Sequence, residues 1–190
     1  MKQLFYDLET TGLDARCHAI HQMSGLVVVD GNVVETFNFR VRPFAGAVVS
    51  QEALDVSGVT VEQVMQGESE ESVFLKLTSI LGKYDDGSGD RFFLCGYNSL
   101  RFDDQFLEQF FRRNGCTRMS RYFWHGGIDV MVLASSHLAP VRHAMPNFKQ
   151  GTVAKALGIV IDEGSLHDAM YDVNVCYEIY KKVCNVMKTE

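Results

Sequence analysis

The strand-like stretch L-F-Y-D-L-E-T-T-G-L at residues 4–13 sets Asp7 and Glu9 two residues apart in an apolar segment. Such a short apolar run predicts a β-strand, closed here by a Thr10-Thr11-Gly12 turn. Side chains on a strand alternate faces, so Phe5, Asp7 and Glu9 share one side and Leu4, Tyr6 and Leu8 take the other. Residues 21–29 and 33–41 flank Asp30-Gly31-Asn32, a hairpin signal in which Asp-Gly supplies positive φ. Val34, Thr36 and Asn38 oppose Val33, Phe37 and Phe39 there in rough alternation. Residues 70–81 have a helical period that turns Val73, Leu77, Ile80 and Leu81 inward. After the polar stretch 85–90, the short run Phe92-Phe93-Leu94-Cys95 ends at Gly96 and reads as a buried strand.

A second helix is expected over 103–113, with Phe106, Phe110 and Phe111 on its apolar face. Residues 128–138 and 150–157 read as further helices. The last helix is expected to start near Ser165, where Ser165-x-x-Asp168 resembles a capping box. Ala169, Val173, Cys176, Tyr180 and Val183 form its stripe, spaced to pack on a sheet. A hairpin followed by alternating strands and helices indicates an α/β protein with a mixed sheet.

Composition changes this picture little. With 190 residues, 46% hydrophobic and 22% charged, the chain suits one globular domain, without repeat, low-complexity tract or linker. The N-terminus has no long apolar run, so neither signal peptide nor anchor is expected, and no segment approaches the ~18 apolar residues that span a bilayer. Five cysteines (17, 95, 116, 176 and 184) form no C-x-x-C pair; Cys95 and Cys176 sit in apolar patterns, and a reducing, cytoplasmic setting is expected. Net charge is −6, mildly against a polyanionic partner. Residues 101–149, however, hold seven Lys/Arg against four acids, a local +3 that leaves −9 elsewhere. Two bound divalent ions would offset part of that, so overall charge neither supports nor excludes nucleic acid.

Candidate chemistry lies in the acids. Asp7 and Glu9 stand side by side in an apolar segment, where two unpaired carboxylates repel and are costly to desolvate. Asp-x-Glu alone is common surface charge; the apolar flanks and the turn after it point instead to a hard cation with oxygen ligands, Mg²⁺ or Mn²⁺. Asp103 opens the second helix, where a carboxylate also suits the helix dipole. Asp172 lies at the edge of the last helix's buried stripe and needs something cationic. His167, placed in that helix's first turn about 7.5 Å along the axis from Asp172, would reach a water near the metals without being a ligand. An exposed histidine at a helix start is the plainer alternative.

These residues stand in the order D-x-E, F-D, H-x-x-x-x-D. The set resembles the DEDDh class of 3′–5′ exonucleases, whose ribonuclease-H-like fold implies a mixed five-stranded sheet flanked by helices. The resemblance runs through nearly the whole chain. F-Y-D-L-E-T-T-G matches the first motif, G-Y-N-S-L-R-F-D-D-Q-F-L the second and L-H-D-A-M-Y-D-V the third. A-L-D-V-S-G-V-T (53–60) looks like the segment beside a substrate's 3′ end, and residues 128–134 and 152–159 like the connecting helices. The wording of the second and third motifs is most similar to the nuclease domain of the bacterial exonuclease I family. That family carries further C-terminal domains that grip single-stranded DNA, whereas this sequence stops at Glu190, so distributive digestion is expected.

The resemblance implies hydrolysis of single-stranded DNA from its 3′ end to nucleoside 5′-monophosphates. Asp7, Glu9, Asp103 and Asp172 would hold two Mg²⁺ ions, with Mn²⁺ able to substitute, and Asp7 would bridge them. His167 would serve as general base. Leu13 and Val56 would wedge against the terminal base, Phe102 would pack on the terminal nucleotide, and Thr10, Asn98 and Arg101 would position the strand. Leu13, Val56 and Phe102 could equally be core residues. An exoribonuclease, a polymerase-associated proofreading exonuclease and an inactive nucleic-acid-binding module remain as alternatives. The five filled catalytic positions argue against the last.

Overall fold

The computed structural model describes residues 1–184. Its sheet contains β1 (Lys2–Thr10), β2 (Ile20–Val29), β3 (Asn32–Arg40), β4 (Phe92–Gly96) and β5 (Ile128–Asp129), in the order β3-β2-β1-β4-β5. The first three strands are antiparallel neighbours; β4 runs parallel to β1, and β5 parallel to β4. The mixed sheet is thus as expected, and the protein has the ribonuclease-H-like α/β architecture. Asp30 and Gly31 make the β2–β3 turn with φ of 50° and 81°, which explains why the hairpin falls at Asp-Gly.

The helices are α1 (Gln51–Ser57), α2 (Val61–Met65), α3 (Glu70–Gly82), α4 (Asp103–Arg113), α5 (Val130–His137), α6 (Gln150–Ala156) and α7 (Ala169–Val183). Alternation along β1 divides the core in two. Leu4, Tyr6 and Leu8 join α3 and α4 through Val73, Leu77, Phe106, Phe110 and Phe111. Phe5, on the opposite face, joins α5, α6 and α7 through Val130, Val153, Val173 and Cys176. Asp7 and Glu9 follow Phe5 on that face, so β1 delivers them beside α7. Cys95 and Cys176 are buried, as expected, and all five cysteines are free thiols. Among the described residues no helix is long and apolar enough to cross a membrane.

Two expectations fail. Residues 128–138 are not one helix, because Ile128 and Asp129 pair with Cys95 and Gly96 and extend the sheet before α5 begins. The last helix starts at Ala169, not near Ser165. The Asp168 side chain accepts from the Met170 and Tyr171 amides and is itself the N-cap, while Ser165 Oγ donates to Asp162. His167 therefore precedes the helix, where φ of 70° breaks the helical path.

Candidate active site

Three segments meet at the C-terminal ends of β1 and β4. β1 contributes Asp7 and Glu9, the start of α4 contributes Asp103, and the loop into α7 contributes His167 and Asp172. A ligand atom from each of Glu9, His167 and Asp172 lies within 4.8 Å of the other two. Asp7 is tied to the same cluster by electrostatics. Burial pushes its carboxyl well above the usual range, and the negative charges of Asp103, Asp172, Glu9 and Asp168 push it further. Burial lifts Glu9 to about 7 despite a hydrogen bond from Ser57. It lifts Asp103, only 7% exposed, to about 7 as well, although the amides of Asp103 and Leu8 oppose the shift.

Asp172 is raised by burial and drawn back by His167, whose backbone N–H donates to Oδ2 at 3.0 Å. Its buried Oδ1 has no hydrogen-bond partner. Among the described residues none of the four acids forms an ion pair. An unpaired, desolvated carboxylate cluster with an orphaned buried oxygen suits a hard divalent cation.

The substrate-side candidates lie on segments that adjoin the cluster residues in sequence or, for Val56, beside Ser57. Gly12 forms the turn after β1: a Cβ there would lie 2.0 Å from the His18 ring, so only glycine fits. Leu13 then projects into solvent at 83% exposure, and Val56 on α1 is 58% exposed, so neither is a core residue. Thr10 is buried, and its Oγ1 donates to the Gly12 carbonyl at 2.8 Å, bracing the turn. Asn98 adopts a left-handed conformation with φ of 59° at the end of β4, and its N–H donates to Asp129 Oδ1 at 3.0 Å. Arg101 is exposed in the 3₁₀ turn before α4. Phe102 is half-buried, its ring centroid 5.0 Å from that of Phe106.

Three supporting residues escape a reading of the sequence. Ser57 Oγ donates to Glu9 Oε2 at 2.7 Å. Asp168 N-caps α7, accepts from Gln22 at 3.1 Å and lies 3.9 Å from Arg40, fastening the third motif to the hairpin. Asp129 caps α5 through the Met131 amide while holding Asn98. Only Asp168 carried a local signal, and the Ser165-x-x-Asp168 pattern assigned it to the wrong position of the cap.

A ribonuclease-H-like sheet with acids gathered at the ends of two parallel strands and at the start of a late helix defines a nuclease of the DEDD type. The family model RNase_T, described as exonuclease, matches residues 4–180, and the chain belongs to that family. Among relatives, it is 27% identical over 184 residues to a DNA polymerase III PolC-type of Pediococcus pentosaceus, covering 95% of this chain but 11% of that protein. It is 25% identical over 192 residues to ribonuclease T of Shewanella denitrificans, covering 96% of this chain and 80% of the relative. The fold matches E. coli exonuclease I in complex with a dT13 oligonucleotide, with a TM-score of 0.77 and 24% identity over 96% of this chain and 40% of that one. The chain thus spans about a tenth of the PolC-type polymerases and two-fifths of exonuclease I.

Proposed function

We propose that the protein is a metal-dependent 3′–5′ exodeoxyribonuclease releasing nucleoside 5′-monophosphates from single-stranded DNA. The observation that carries this reading is the convergence of four carboxylates that lack ion-pair partners, one of them with an orphaned buried oxygen. Asp7, Glu9, Asp103 and Asp172 would hold two Mg²⁺ ions, for which Mn²⁺ would substitute. Such ions, when bound, neutralise the phosphate, acidify an attacking water and stabilise the leaving oxygen.

The remaining work falls to this chain's own side chains. His167 overhangs Glu9 and Asp172, where its imidazole takes the proton from the attacking water as general base. Its backbone N–H meanwhile keeps Asp172 turned towards the cluster. Leu13 and Val56 offer exposed apolar surface, and a terminal base pressed between them would remove that surface from water. Phe102 offers a ring face for the terminal nucleotide. Thr10, Asn98 and Arg101 would position the strand's backbone, and contacts of this kind tolerate any base sequence.

The single-stranded oligonucleotides bound to exonuclease I support DNA as substrate. Relatedness to ribonuclease T over four-fifths of that protein favours trimming of RNA 3′ ends as the second reading. The PolC-type likeness fits a proofreading role within a larger polymerase. The five free thiols fit a reducing cytoplasm.

The test is degradation of matched 5′-labelled DNA and RNA strands with EDTA, Mg²⁺ or Mn²⁺. Activity vanishes in EDTA and returns with either ion, and DNA is the better substrate. Full activity after rigorous chelation would overturn the metal reading; faster loss of RNA would select the exoribonuclease.

A further inference from the structure

Helix α1 is fastened to the first motif at both ends. At its start, the Ser50 N–H donates to the Thr11 carbonyl at 2.8 Å, and the Thr11 hydroxyl donates to the Val48 carbonyl at 2.7 Å. At its end, Ser57 Oγ donates to Glu9 Oε2 at 2.7 Å across 48 residues of sequence. The helix stops there because Gly58 turns left-handed, with φ of 65°, and returns its N–H to the Leu54 carbonyl. Leu54 is fully buried, and Ser57 lies three residues on, on the same inward face. Val56, between them, points to solvent.

We infer that Ser57 is a positioning residue: its hydroxyl fixes the orientation of the Glu9 carboxylate for a divalent cation and joins that carboxylate to the helix bearing Val56. The inference rests on the reading that Glu9 holds a cation. A glutamate has three side-chain torsions to immobilise, and ordering them costs free energy at the moment of metal binding unless a neighbour has fixed them beforehand. Ser57 is the only side chain among the described residues that hydrogen-bonds Glu9. Outer partners of a ligating carboxylate typically account for 10–100-fold in metal affinity. Because Ser57 also ends α1, the surface presented by Val56 and the carboxylate presented by Glu9 are held in one frame.

The experiment compares Ser57→Ala, Ser57→Thr and Glu9→Ala with the unaltered protein, titrating Mn²⁺ by calorimetry without nucleic acid. Melting temperature and the separate values of kcat and KM complete the readout. Ser57→Ala sets the better helix propensity of alanine against one lost hydrogen bond, so the melting temperature moves by no more than about 2–4 °C. It weakens Mn²⁺ binding about 10–100-fold and lowers kcat at subsaturating metal, with KM for the strand within about threefold. Ser57→Thr, which keeps the hydroxyl, restores most of both. Unchanged Mn²⁺ affinity in Ser57→Ala, or a threonine variant as impaired as alanine, overturns the positioning role. Glu9→Ala separates the two levels: if it binds Mn²⁺ like the unaltered protein, the reading of Glu9 as a ligand fails, whereas loss in Glu9→Ala beside no change in Ser57→Ala sinks only the inference about Ser57.

Discussion

The His167 amide donates to Asp172 Oδ2 at 3.0 Å from a backbone turned to φ of 70°. One residue thereby does two separable things. Its backbone aims a carboxylate of the cluster, and its side chain overhangs the same cluster within 4.8 Å of Glu9 and Asp172.

That separation predicts an asymmetric mutant. His167→Ala deletes the imidazole and leaves the amide, so turnover falls by about 10²–10⁴-fold, the usual worth of a positioned general base. Mn²⁺ binding persists near the unaltered value. Asp7→Ala and Asp172→Ala lose both turnover and metal binding. Calorimetry in which His167→Ala loses metal affinity as severely as Asp7→Ala would make the histidine a ligand instead.

Folding stability without metal carries a second prediction. Glu9 and Asp103 are lifted from 4.5 and 3.8 to about 7, and burial also lifts Asp7 well above its ordinary value. A carboxyl with a raised folded pKa stabilises the fold below its unfolded pKa and loses that contribution as pH rises through the folded one. Buried His21, lowered to about 4, acts oppositely: its contribution is present above about 6.5 and lost as pH falls. Three carboxyls outweigh one imidazole between pH 4.5 and 6.5, and above that only the carboxyls still change. The melting temperature in EDTA therefore falls from pH 5 to pH 8. Added Mg²⁺ raises it more at pH 8 than at pH 5.5, because the ligands must be deprotonated. A flat profile in EDTA, or equal gains at the two pH values, would contradict an unpaired acidic cluster.

The sequence makes some of this legible and not the rest, for physical reasons. Period-two alternation placed Asp7 and Glu9 on one face of β1 and Leu4, Tyr6 and Leu8 on the other, and the two cores divide along that line. The 103–113 helix was legible from its aromatic face and from an acid at its start. Asp129 was hidden because a two-residue strand is too short for any period to register. The start of α7 was misplaced because serine and aspartate both cap helices, and local spacing does not say which one does. Ser57 was invisible, since a hydrogen bond spanning 48 residues leaves no trace in a window of ten. The residues that carry charge were readable; those that aim it depend on contacts distant in sequence.

In the proposed reaction the strand is attacked at a free 3′ end. Asn98, Arg101 and Phe102 lead straight into Asp103, so the groups proposed to meet the terminal nucleotide are continuous in sequence with the acidic cluster. On the proposed reading the site would take a splayed single strand and admit a duplex only after unpairing, at about a few kcal/mol. The most direct measurement follows a 5′-labelled single strand of DNA in Mg²⁺, beside its blunt duplex and a circular single strand. A descending ladder from the single strand, much slower loss of the duplex and an intact circle are expected. Immediate release of labelled mononucleotide, or cutting of the circle, would contradict the proposed reaction.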